Sequence, residues 1–411
     1  MATLRIRLSL ILTYFVFAIL LNSVGTVILQ VIHTWQISKE SASILEGFKD
    51  IPIAVVSFLV ASWLPRLGYR NAMMTGVALV MLACITMPLF SSFLTTKLLF
   101  LTVGASFALV KVSVYSSIGM VTSGKAQHAS LLNTIEGFFM LGVLSGYWVF
   151  AAFMDPLQPH ADGWLQVYWL LAGLCALNLL LLLSTRFPLQ QIPSTEKASG
   201  DFMAMLQLAA RPLVFVFVLS AFLYVLIEQG IGSWLPTFNN QVLSLPNHLS
   251  VQLTSIFAAS LALGRLLAGV VLRYISWYLL VNVCLVAMAL LILLSMPLTH
   301  DVVVPEQVTL WTAPLAAYLF PLIGFFMAPI YPVINSAVLT ALPVHRHAPM
   351  TGLIVVFSAL GGTTGSMITG FTFARFSGQT AFYLCLLPLA LLLLSVALFH
   401  RRSKLPVAVA N

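Results

Sequence analysis

Residues 275–297 read ISWYLLVNVCLVAMALLILLSMP, and the run contains no Asp, Glu, Lys or Arg. A helix that crosses a bilayer needs about 20 consecutive apolar residues. Eleven more long, predominantly apolar runs are present, at 8–32, 44–64, 71–92, 97–122, 128–154, 163–186, 211–236, 249–272, 309–338, 349–374 and 379–400. The twelve are numbered here as spans 1–12 in chain order, with 275–297 as span 9. They are too long for membrane strands and lack their alternation. The first run is too long for a signal-peptide core and is expected to stay as a helix. The fold expected is an all-α polytopic membrane protein.

Composition agrees. Of 411 residues, 60% are hydrophobic and 7% charged, with a mean hydropathy of +1.03. Soluble domains carry roughly a quarter charged residues. The formal net charge is +8, but the basic residues are scattered over short loops, so nucleic acid is not an expected partner. They are one-sided instead. With an even number of spans, thirteen Lys and Arg, from Arg5 and Arg7 to Arg401, Arg402 and Lys404, share the side of the termini. Lys39, Lys97 and Arg375 fall on the other. Positive charge favours the cytoplasmic side, so both termini are expected there, in a cell inner membrane. The four cysteines lie in apolar runs without ligand spacing and read as packing residues.

The polar stretch FPLQQIPSTEKASGDF lies within 187–208, the longest cytoplasmic loop. It reads as a linker between a six-helix bundle at 1–186 and a second at 209–411. The halves resemble each other. GASFALVKVSVYSS in span 4 and GFFMAPIYPVINSA in span 10 align with Gly104 on Gly324, Lys111 on Tyr331 and Ser116 on Ser336. Spans 5 and 11 align with Gly142 on Gly361 and Gly146 on Gly365. Two similar bundles can rock about a site between them.

Twelve spans in two halves with a central cytoplasmic loop resemble the major facilitator superfamily. The superfamily's signature between spans 2 and 3 is matched by ASWLPRLGYRNAMMTG, through Arg66, Gly68 and Arg70. Its usual acidic residue is missing, with Pro65 near its place. YVLIEQGIGSWLPTF (224–238) and LALGRLLAGVVLRYIS (261–276) are similar to the fucose:proton symporter group. The carboxylates of that group in spans 1 and 4 are absent; Asn22-Ser23 and Lys111 stand roughly in those places. The resemblance implies two pseudo-symmetric six-helix bundles, with spans 1, 4, 7 and 10 facing inward.

Charges inside spans cost about 2.5–3.5 kcal/mol near a helix centre and usually mark a pathway. Lys111 lies about 16 Å, and Glu136 about 12 Å, from the cytoplasmic ends of spans 4 and 5. A Lys111–Glu136 pair is expected, with Lys111 binding substrate. Glu136 and Glu228 are the candidates for proton coupling. Trp234 and Asn239 are expected to offer a sugar platform beside Glu228. Arg265 is expected to lock helices together. Glu46, Lys49 and Asp50 share a helix face within about 9 Å of the outer surface; Asp50 is a candidate gate residue, but interfacial snorkelling is the favoured reading of the three. Asn22, Gln30, Tyr115, Asn133, Gln229, Tyr331 and Asn335 are the polar cavity candidates. Tyr331-Pro332 suggests a break in span 10.

No nucleotide-binding loop, GxSxG elbow or zinc signature occurs. An enzyme, a cofactor and a bound metal are therefore not expected. The function expected is secondary transport, by proton-coupled import of a small polar solute, a sugar or a carboxylate-bearing compound. The protein is expected to act as a monomer in lipid. An exporter or uniporter is the alternative, and a non-transporting receptor is the alternative class, disfavoured by the short loops.

Overall fold

The structure is a computed structural model that describes residues 2–60, 67–122, 124–185, 187, 212–300, 302, 308–341 and 347–404. Among these residues there are helices and no strands. Eleven helical segments are long and apolar enough to cross a membrane. Span 2 is the helix Leu45–Val60. Arg66 and the linker at 188–208 lie outside the described residues.

Lipid as solvent is visible on span 9, the helix Trp277–Ser295. Leu280, Val281, Cys284, Leu285, Met288 and Ile292 are buried on one face. Leu279, Val283, Val286, Leu290, Leu293 and Leu294 are exposed on the other. An amphipathic helix in water would carry polar residues there; this one is apolar all round. The four cysteines are buried and unpaired.

The chain divides into two compact units, Met1–Lys197 with Pro246–Gln252, and Ala198–Leu245 with Leu253–Asn411. In the first unit, span 4 (Phe93–Val121) packs on span 2 and on span 3 (Tyr69–Leu89). Span 1 packs on span 5 (Lys125–Ala152), and span 3 on span 6 (Val167–Ser184). In the second unit, span 7 (Pro212–Gly232) packs on span 11 (His347–Arg375) and span 12 (Leu386–Lys404).

Glycines set these contacts, and the contacts repeat. A Cβ on Gly142 would meet the Phe15 carbonyl at 2.6 Å, and one on Gly146 would touch Ile19. Gly361 and Gly365, 219 positions on, press in the same way on the carbonyls of Phe222 and Leu226, 207 positions on. Asn178 of span 6 donates to Thr13 Oγ1 of span 1 at 2.8 Å. Ser220, 207 positions beyond Thr13, shares a 2.7 Å hydroxyl pair with Ser395 of span 12. Small residues and interhelical hydrogen bonds are what join helices where lipid removes the hydrophobic driving force.

Several spans are broken. Span 1 is two helices, Ala2–Asn22 and Val24–Trp35, interrupted at Ser23. Span 10 runs as Ala316–Leu319, a 3₁₀ turn, Ile323–Met327 and Ile330–Ala341. Its break falls at Ala328–Pro329 rather than at Tyr331-Pro332. Pro329 lacks the amide that would continue the ladder, whereas Pro332 sits in the first turn of the next helix, where that amide is not needed.

Candidate functional site

In the first unit a cation and an acid meet an aromatic cluster. Phe107, Lys111 and Tyr115 are spaced by four on the span 4 helix, which places them on one face. The Lys111 ammonium lies 5.9 Å from the centre of the Phe107 ring. Tyr14 of span 1 stacks edge-on against Tyr115, with ring centres 6.0 Å apart. Tyr14 also lies 6.1 Å from Phe107 and 5.6 Å from Phe139 of span 5. Tyr115 donates its hydroxyl hydrogen to Glu136 Oε1 at 2.6 Å.

This geometry corrects the expected Lys111–Glu136 ion pair. Lys111 lies within the field of Glu136, but no ion pair joins them among the described residues. The nearer tyrosine takes the carboxylate. Lys111 is nevertheless exposed. Asn22 and Asn133 are exposed as well; the Asn22 amide donates to the Ala18 carbonyl of its own helix at 2.9 Å. Gln30 is buried against Met154 Sδ at 3.3 Å.

The second unit holds a cluster of related make-up. Tyr224 of span 7 donates to Glu228, one turn on, at 3.2 Å. Its ring stacks on Tyr331 of span 10 with centres 5.3 Å apart. The Tyr331 hydroxyl shares a 2.9 Å hydrogen bond with Ser358 of span 11. Glu228 and Arg265 both act electrostatically on Tyr224, and Arg265 is exposed. Asn335 presents a buried Oδ1 with no hydrogen-bond partner among the described residues. Gln229 Oε1 accepts from the Ser233 hydroxyl, one turn on, at 3.3 Å.

Other candidates have different surroundings. Trp234 is fully buried. Its indole donates to Ser366, at 3.0 Å to the carbonyl and 3.1 Å to the hydroxyl. Asn239 is buried beside Thr254. Neither is an open sugar platform. Glu46, Lys49 and Asp50 are 0%, 6% and 8% exposed, so they do not snorkel to an interface. Arg70 donates to the carbonyls of Leu182 and Leu183, each at 3.0 Å. It caps the C-terminal end of span 6, where a cation suits the helix dipole. Gly68 starts span 3 with φ +83°, a conformation that favours glycine.

Sequence reasoning missed Tyr14, Phe107, Phe139, Tyr224 and Ser358. The available signal was the four-residue spacing of Phe107, Lys111 and Tyr115, and of Tyr224 and Glu228.

No curated protein sequence matches the chain significantly. Among solved structures, a bacterial homologue of the human lysosomal transporter Spinster matches with a TM-score of 0.74 at 16% identity, over 97% of this chain and 96% of that one. The nucleoside transporter NupG matches with a TM-score of 0.76 at 13% identity, over 97% and 99%. The E. coli fucose:proton symporter FucP matches with a TM-score of 0.60 at 17% identity, over 97% and 99%. At these identities the likeness is one of fold. The family model described as Major Facilitator Superfamily matches residues 10–318. The chain belongs to the Major Facilitator Superfamily, and it is a multi-pass membrane transporter rather than an enzyme.

Proposed function

We propose that the protein is a proton-coupled importer of a small polar solute, that it works by alternating access, and that the solute carries a carboxylate or similar anionic group. The observation that carries this reading is Lys111. The residue as a whole is exposed in the middle of a spanning helix, and no ion pair joins it among the described residues. Facing lipid, such a charge would cost about 2.5–3.5 kcal/mol or more. Facing a solute path, it gains a counter-ion each time an anionic cargo binds. The rings of Phe107, Tyr14 and Phe139 suit the apolar part of such a cargo better than they suit a polyol, which needs many hydrogen-bond partners. Glu136 and Glu228 are the proposed proton carriers of the two clusters. The excess of basic residues near the termini supports a cytoplasmic placement of both ends, in an inner membrane.

A thermal-shift screen of purified protein against carboxylates, sugars and amino acids tests the solute class. Carboxylates are expected to raise the melting temperature, since a ligand at 100 times its Kd stabilises by about 2.7 kcal/mol. Uptake of the stabilising compound into liposomes should then rise when the outside is made acidic. Stabilisation by neutral sugars alone would contradict the anionic reading. Uptake indifferent to the pH gradient would contradict proton coupling.

A further inference from the structure

Charge in the second unit is one-sided. From Gln229 to the C-terminus the only acidic residues are Asp301 and Glu306, both in the loop between spans 9 and 10. Over the same stretch the side of the termini carries Arg273, Arg346, Arg401, Arg402 and Lys404, and no carboxylate.

Arg273 and Arg401 flank one corner of the unit. Span 8 is the helix Asn247–Val271. The chain turns directly after it, with the Arg273 and Tyr274 amides donating to the Val270 and Val271 carbonyls at 3.1 and 2.9 Å. Ser276 then caps span 9, its hydroxyl accepting from the Leu279 amide at 3.3 Å. At the head of span 9, Tyr278 stacks flat on His400 of span 12, with ring centres 3.9 Å apart and planes 7° apart. Trp277 meets His400 and Phe399 edge-on, with centres 5.5 and 6.0 Å away. These rings hold the end of span 12, where Arg401 follows His400, beside the head of span 9, where the Arg273–Tyr274 turn enters. Both arginines are exposed, and Tyr274 is 82% exposed. Neither arginine makes an ion pair among the described residues.

The first unit closes its matching corner differently. Trp277, the first residue of span 9, lies 208 positions beyond Tyr69, the first of span 3. The same step carries Arg70 to Tyr278. Span 6 maps onto span 12 with a step of 217, the separation of Asn178 and Ser395 in their matching hydrogen bonds. That step carries Leu183 to His400. In the first unit Arg70 ties the corner by donating to the Leu182 and Leu183 carbonyls. In the second an aromatic stack does so, and the closure uses neither Arg273 nor Arg401.

We propose that this corner binds the phosphate headgroup of an anionic phospholipid. The phosphate supplies the negative charge that the protein lacks on this side. A basic residue near an anionic membrane surface gains about fivefold in affinity. Tyr and Trp favour the headgroup level, which suits Tyr274 and Trp277. Leu272, Leu279 and Leu398, all exposed, offer apolar contact to the acyl chains. The inference is independent of the cargo and of proton coupling.

Native mass spectrometry of the purified, delipidated full-length protein tests it, with phosphatidylglycerol and phosphatidylcholine of identical chains as probes. Wild type is expected to retain phosphatidylglycerol preferentially. Arg273→Gln and Arg401→Gln should each lower that preference about fivefold. Arg5→Gln removes an exposed basic residue from the first unit, on the side of the termini, and should leave the preference unchanged. Equal retention of the two lipids by wild type, or a preference unchanged in both second-unit variants, would overturn the proposal. An equal loss in Arg5→Gln would also overturn it, by showing diffuse surface charge in place of a site. Displacement of the lipid by an equal concentration of glycerophosphoglycerol, the headgroup without chains, would identify a free phosphate ester as the occupant and overturn the lipid reading.

Discussion

At the residue scale the two units place tyrosines between a charge and an apolar bundle. Tyr115 holds Glu136 and Tyr224 holds Glu228. A hydrogen bond to a charged group is worth about 1.5–3 kcal/mol, so these phenols fix where each carboxylate points. Glu228→Gln is expected to abolish accumulation driven by a pH gradient while solute counterflow continues; the two assays on one liposome preparation check it. Tyr115→Phe is expected to leave the protein folded and to lower pH-driven uptake about tenfold or more, the equivalent of that hydrogen bond. Lys111, Glu136, Glu228 and Tyr331 were legible in the sequence because polar groups stand out in apolar runs. Tyr14, Phe107 and Tyr224 were not, because an aromatic ring in a spanning helix reads the same whether it meets lipid or a partner ring. The i, i+3, i+4 spacing of Glu46, Lys49 and Asp50 was legible too. Their burial was not, since depth along a helix does not say which neighbour covers its face.

At the element scale, close approach rests on a few glycines. Gly104, Gly361 and Gly365 each lie against a backbone carbonyl of the facing helix, and carbonyls cannot swing aside as a side chain can. Gly365→Ala is expected to destabilise by about 1–3 kcal/mol, the usual cost of overpacking, read as a lowered melting temperature in detergent. Gly173→Ala, on a helix face with nothing within 4 Å, should leave the melting temperature unchanged or slightly raised, since alanine favours the helix. The sequence marked these glycines by their repeat, and Gly142, Gly146, Gly361 and Gly365 do make matching contacts. It did not mark the interruption of span 1 as a break. Ser23 is compatible with a continuous helix, and only the tertiary setting, with Lys49 at the Leu21 carbonyl, shows what lies there.

At the scale of the whole molecule, membrane class and helix number followed from hydropathy, because lipid leaves only helices and closed barrels as spanning structures. The solute did not follow, because its recognition depends on side chains brought together from separate spans. The central claim is that Lys111 is the counter-ion of an anionic cargo. Its most direct measurement compares uptake, into liposomes bearing wild type or Lys111→Ala, of a stabilising carboxylate and of its uncharged amide. Wild type is expected to prefer the acid by about 10- to 100-fold, in line with about 1.5–3 kcal/mol for a charged hydrogen bond, and Lys111→Ala should lose that preference. Equal preference for the acid in both proteins would contradict the account.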